Sequence, residues 1–126
     1  MWLQDALEGL ANKIYGIENH SVVNQFSGTR DAAISSGTCY GTYDPLTGLV
    51  TLTFNWTDNS AVATSATIYT IPEDYRPSET KYGAGIEGAT DANTATRVSV
   101  NSSGVIKQAG SSSNSKFGCG FIAYYI

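Results

Sequence analysis

Charge is scarce in this chain of 126 residues. Asp, Glu, Lys and Arg together make up 14% of it, against roughly 25% in an average soluble domain. The seven basic residues are scattered, and the formal net charge is −4. Nucleic-acid binding is therefore not expected, because it needs a concentrated cationic footprint. No apolar run is long enough to span a bilayer, so no membrane partner is expected either. The N-terminus lacks a basic start and a continuous apolar stretch, which argues against a Sec-type signal peptide. Histidine is limited to His20. With no second His or Cys nearby it reads as a solvated or capping side chain, and no metal site is expected. Cysteine is limited to Cys39 and Cys119. Without CxxC spacing these make no zinc site. Each sits among small neighbours and reads as a buried free thiol within a strand. A disulfide would need the first and last strands to pair, and synthesis in a cytosol would keep the thiols reduced.

Small polar residues take the place of charge. The chain holds 14 Ser, 14 Thr and 8 Asn. Its polar surface is built mainly from hydroxyls and amides. Thr and Tyr favour pleated strands, while Gly, Asn and Ser favour the turns between them. The length fits one domain with a real hydrophobic core.

The first segment reads as a helix. Leu3, Leu7, Leu10, Ile14 and Ile17 recur in steps of four and three, which is a heptad seam. Two heptads are too few for a stable lone helix, and Gly9, Asn12 and Gly16 weaken it further. Such a helix needs partners. Ile at both kinds of seam position leans toward a trimer or higher. The competing reading packs this helix on the chain's own β domain. Residues 18–36 show no period and read as loops and turns.

From residue 38 onward the signal is β. Residues 38–43 form a short strand closed by the turn Asp44-Pro45-Leu46-Thr47-Gly48. In the next strand Val50, Leu52, Phe54 and Trp56 point one way, and Thr51, Thr53 and Asn55 the other. That alternation assigns Trp56 to the core. Asp58-Asn59-Ser60 reads as a turn, and residues 62–71 as another extended run. Residues 81–88 carry three glycines, marking bulges or a close neighbour. A strand over 94–101, the loop Asn101-Ser102-Ser103-Gly104 and a return over 105–108 make a hairpin. Residues 109–115 read as a long flexible turn. The last strand, 117–126, is apolar on both faces, with Phe117, Cys119, Phe121, Ala123 and Tyr125 opposite Ile122, Tyr124 and Ile126. Such a strand must be covered twice, once by its own domain and once by a neighbouring subunit. The expected fold is all-β: an antiparallel β-sandwich or jelly-roll-like head over residues 38–126, preceded by a short coiled-coil helix over residues 1–20 for trimerisation or docking.

One stretch is more specific. Thr67-Ile68-Tyr69-Thr70-Ile71-Pro72-Glu73-Asp74-Tyr75-Arg76-Pro77-Ser78 is followed by Ala95-Thr96-Arg97-Val98-Ser99-Val100, then Asn101-Ser102-Ser103-Gly104-Val105-Ile106, then Phe121-Ile122-Ala123-Tyr124-Tyr125-Ile126. In order and spacing, residues 48–126 resemble the C-terminal domains of phage tail-fibre, baseplate and head-fibre proteins. In that family a strand ends in a Pro-x-Gly-Tyr-Arg-Pro corner. This chain departs from it with Asp74, which tolerates the left-handed conformation better than most residues. The resemblance implies a homotrimer with a sandwich head behind a stalk. The corner also reads physically. Pro72 and Pro77 remove two backbone donors and stop the ladder. Tyr75 fills a gap at the end of the head with its hydroxyl wet. Arg76 pins the loop to carbonyls or to Glu73.

Catalytic chemistry is not expected. A lone His in an irregular stretch makes a poor triad base, and no nucleophile elbow, phosphate loop or HExxH is present. No cofactor is implied. Sugar binding fits the composition better, because it uses aromatic faces beside amides, hydroxyls and carboxylates. Tyr43 with Asp44, and Tyr82 near Glu79, are the candidate aromatic–acid pairs. The leading expectation is a trimeric fibre-tip or receptor-binding module of a phage virion, made in the host cytoplasm. It would attach to a bacterial surface saccharide and join other virion proteins through its helix. The alternative is a capsid head-fibre or decoration protein, and a glycan-cleaving virion enzyme stands third.

Overall fold

The computed structural model describes residues 2–20, 23–62, 66–89, 92–109 and 115–126. A helix, α1 (Trp2–His20), leads into β1 (Asn24–Ser27), β2 (Thr29–Arg30), β3 (Ser36–Asp44), β4 (Leu49–Val62) and β5 (Thr67–Thr70). A single 3₁₀ turn over Glu73–Tyr75 separates these from β6 (Lys81–Ala89), β7 (Ala92–Val100), β8 (Val105–Ala109) and β9 (Ser115–Tyr125). The protein is all-β apart from its N-terminal helix.

Among the described residues nine strands join one sheet in the order β1-β3-β4-β9-β6-β7-β8-β5-β2, and the pairings between them are antiparallel. The two end members are consecutive parts of one segment. Its first half pairs with β3, setting Phe26 opposite Gly41. Its second half pairs with β5, setting Arg30 opposite Tyr69. Between them Gly28 N donates to Cys39 O at 3.0 Å, and Asp31 N donates to Ile68 O at 2.9 Å. The sheet thus curls until both edges meet the same segment, and it is nearly closed. Closure removes most of the unpaired donors and acceptors an open edge would offer.

Residues 24–30 correct the expectation of loops over 18–36. Their six strand residues expose all but Phe26, which is half-buried, so no inward period marks them. The expected turn at Asp58-Asn59-Ser60 also gives way. These residues lie inside β4, where its register with β9 shifts between Thr57 and Val62. Turn formers are accommodated there as an irregularity of the strand. The flexible turn expected over 109–115 falls mostly outside the described residues.

The core follows the alternation of β4. Val50, Leu52, Phe54 and Trp56 are buried, joined by Ile68, Tyr69, Ile71, Val98, Val100, Ile106, Ile122 and Tyr124. Each such side chain contributes about 1.5–3 kcal/mol when fully buried. On β9 the inward positions are small at Gly118 and Gly120 and large at Ile122 and Tyr124. The Phe54 and Trp56 rings occupy the space above Gly120 and Gly118, where a Cβ would lie 2.6 Å from either ring system. Gly83 and Gly85 let β6 approach the Phe121 and Cys119 carbonyls closely. Two tyrosines tie the core to backbone: Tyr69 Oη donates to Asn55 O, and Tyr124 Oη donates to Tyr75 O. Burial pushes the Tyr69 hydroxyl up to about 12 and raises that of Tyr124 as well.

The cysteines part company. Cys39 is buried as expected, and burial pushes its thiol up to about 11. Cys119 is exposed, against expectation, because its position on β9 turns it to the outer face. Both are free thiols. β4 lies between their strands.

Candidate functional site

The corner and the hairpin singled out in the sequence form one joint. Ile71 N donates to Gly104 O at 2.9 Å. Arg76 Nε donates to Ile71 O at 3.1 Å, so the arginine pins the loop through a carbonyl. Pro77 is buried, while Pro72 is exposed ahead of the 3₁₀ turn. Asn101 Oδ1 accepts from Ser103 N and Val105 N, both at 3.0 Å, and holds the hairpin loop. Tyr75 is half-buried. Its ring stacks on Phe26 at 3.9 Å between centroids and meets Tyr43 at 5.7 Å. This aromatic group closes one end of the curled sheet.

The predicted saccharide pairs do not come together as one site. Tyr43 has the inward parity of β3 and packs on the core with Tyr75. Asp44 holds its own turn, accepting from Leu46 N at 2.9 Å and Thr47 Oγ1 at 3.0 Å. Tyr82 lies on the opposite, outward face of the sheet, with the Arg97 guanidinium 4.6 Å above its ring. Glu79 is paired with Lys81 Nζ at 2.6 Å, which holds its carboxyl below the usual range.

The heptad residues of α1 whose side chains are described lie open. Leu3, Leu7 and Leu10 are all more than half exposed. That counts against a helix packed on its own β domain. Ile14 and Ile17 lie in the helix, but their side chains fall outside the description.

The outer face of the central strands is the most unusual surface. β3 presents Thr38, Tyr40 and Thr42 there. β4 presents Thr51, Thr53, Asn55 and Thr57. β9 presents Phe117, Cys119, Phe121, Ala123 and Tyr125, and β6 presents Tyr82, Ala84 and Ile86. None of these carries a charge. One cross-strand row runs Ser27, Tyr40, Thr53, Phe121, Ala84, Arg97, and the first charge appears only at its far end. Hydrogen bonds knit the polar part across strands. Asn55 Nδ2 donates to Thr38 Oγ1 at 3.1 Å, and the Thr42 and Thr51 hydroxyls bond each other.

Two chemistries divide this face. Its β9–β6 side is apolar, with Phe121 51% exposed beside Ala84 and Ile86 opposite Cys119. Shallow hollows of about 400 and 460 Å³ lie along it. Its β1–β3 side is polar around an aromatic ring, with Tyr40 62% exposed. Sequence reasoning passed over Tyr40, although the alternation Thr38, Tyr40, Thr42 opposite Cys39, Gly41, Tyr43 carried its direction. Among the described residues, no group of three or more His, Cys, Asp or Glu could hold a metal ion. No described helix is long and apolar enough to cross a membrane. Comparison with models of known protein families gives no match, and comparison with curated proteins gives none either.

Proposed function

We propose that the chain is a homotrimeric phage virion protein, a fibre-tip module that attaches without catalysis to a bacterial surface glycan. The observation that carries this reading is the uncharged central part of the outer face of β3, β4, β9 and β6, with Asp44 at the turn end of β3. Lone soluble domains keep charge on their surfaces and rarely expose a contiguous face of this kind. A second surface laid on Phe121, Ala84 and Ile86 removes that apolar area from water. The exposed Leu3, Leu7 and Leu10 row on α1 supports the same conclusion from the other end of the chain. Three copies bring these leucines into a coiled-coil seam, with the curled sheet as a sandwich-like head. The junction of corner and hairpin supports the family likeness, because both motifs build one joint. Three weak sites on one rigid trimer raise avidity without new contacts. The helix would also carry the contacts to other virion proteins.

Sedimentation velocity of the purified chain tests the assembly. A trimer is expected at micromolar concentration, and Leu10→Asp should shift it toward monomer. A monomeric wild-type protein would sink the proposal. Electron microscopy of labelled particles tests the location. Label on the capsid would reassign the protein to head decoration.

A further inference from the structure

We infer that Tyr40 is the stacking platform of a neutral-saccharide site on the outer face of β1 and β3. The inference rests on the attachment reading above and assigns it a place. The Tyr40 ring stands between two hollows that share Ser27. One, of about 320 Å³, adds Gln25 and Thr42. The other, of about 190 Å³, adds Thr38 and Arg30. Together they reach the range of small-ligand sites, roughly 300–1,000 Å³. A pyranose presents an apolar C–H face and a rim of hydroxyls. An exposed ring flanked by one amide and several hydroxyls complements both.

The platform is already in place. Tyr40 pairs with Ser27 on one side and Thr53 on the other, so its strand is held at both edges. The backbone that carries the ring therefore needs no further ordering on binding. The other candidate rings are engaged: Tyr43 meets Tyr75, and Arg97 covers Tyr82. The charge pattern sets the sugar class. Arg30 is the cation at this rim, and its Nη1 already donates to Ser35 O at 2.9 Å. Gln25, Ser27, Thr38 and Thr42 around the ring are neutral donors and acceptors, and neutral hexoses or N-acetylhexosamines fit them.

The test uses the full chain on an array of neutral and acidic oligosaccharides, with hits quantified by titration calorimetry. At least one neutral glycan should bind. Tyr40→Ala should weaken it about tenfold or more, the scale of losing one aromatic anchor. Gln25→Ala should weaken it less, and Tyr82→Ala should leave it unchanged. Sedimentation of Tyr40→Ala should match wild type, since the side chain lies on the surface. Binding of acidic glycans only, or undiminished affinity in Tyr40→Ala, would overturn the site. Labelled protein on a panel of bacterial strains separates the two levels. Cell binding that survives Tyr40→Ala overturns the site and leaves the attachment reading standing. A wild-type chain that binds neither cells nor glycans overturns both.

Discussion

Replacing Gly104 with alanine tests whether the Pro72–Pro77 corner and the Asn101–Gly104 loop act as one joint. Gly104 has a φ of +78°, in the left-handed region. An added Cβ would lie 2.5 Å from Arg76 Nε and 2.9 Å from Ile71 O. Those two atoms form the bond that pins the corner. Holding an alanine in the left-handed region costs about 1–2 kcal/mol. Displacing Arg76 from its carbonyl adds about 0.5–1.5 kcal/mol. The expected loss is about 1.5–3.5 kcal/mol, which lowers Tm by roughly 5–18 °C for a domain of this size. Urea and thermal unfolding followed by circular dichroism would measure it. Arg76→Ala removes the same bond, so the double variant should lose less than the sum of the two singles. Gly9→Ala is the control. A Cβ there meets nothing within 4 Å, and the change should favour the helix by about 1 kcal/mol. A Gly104→Ala protein within about 0.5 kcal/mol of wild type, or strict additivity with Arg76→Ala, would refute the reasoning.

The remaining predictions concern aromatics, thiols and pH. Tyr75→Ala removes a ring stacked on Phe26 and should cost about 2–3 kcal/mol. Tyr75→Phe should be nearly neutral, because it is the Tyr75 carbonyl that Tyr124 bonds; comparable losses in the two variants would contradict this. Maleimide at neutral pH should label exposed Cys119 and spare Cys39, as read by mass spectrometry. Labelling of Cys119 should slow on assembly if the β9 outer face is covered. Stability should decline in alkali. Cys39 rises from 9.0 to about 11 and Tyr69 from 10.0 to about 12, so the folded state holds these protons more tightly than the unfolded. The contribution is full below about pH 9 and is lost as pH climbs through 11 to 12. Urea midpoints that stay constant over that window would exclude the linkage.

The strands that could be read from the sequence were those whose alternation is long enough to declare a face. β4 shows this with Val50, Leu52, Phe54 and Trp56, and β9 shows it less openly. There glycines replace the large residues at 118 and 120, leaving room for Trp56 and Phe54. β1 and β2 were hidden because four and two residues with one inward Phe26 make no period. Asp58-Asn59-Ser60 misled because local turn preference was outweighed by a strand paired on both sides of it. For the site, nearness in sequence linked Tyr43 to Asp44. Strand parity separates them in purpose, turning Tyr43 to the core and leaving Asp44 to its turn. The juxtaposition of Tyr40 with Phe121 through Thr53 depends on residues far apart in the chain, and no local pattern encodes it.

The segment 24–30 has a mechanical meaning as well as a topological one. It follows α1 directly along the chain, and it is where the two margins of the sheet are fastened. A pull delivered through the helix therefore reaches the fastening before any other strand. The load divides at Gly28 between the β3 and β5 pairings. Displacement of the helix and opening of the nearly closed sheet are thereby linked through six paired residues where its two edges meet.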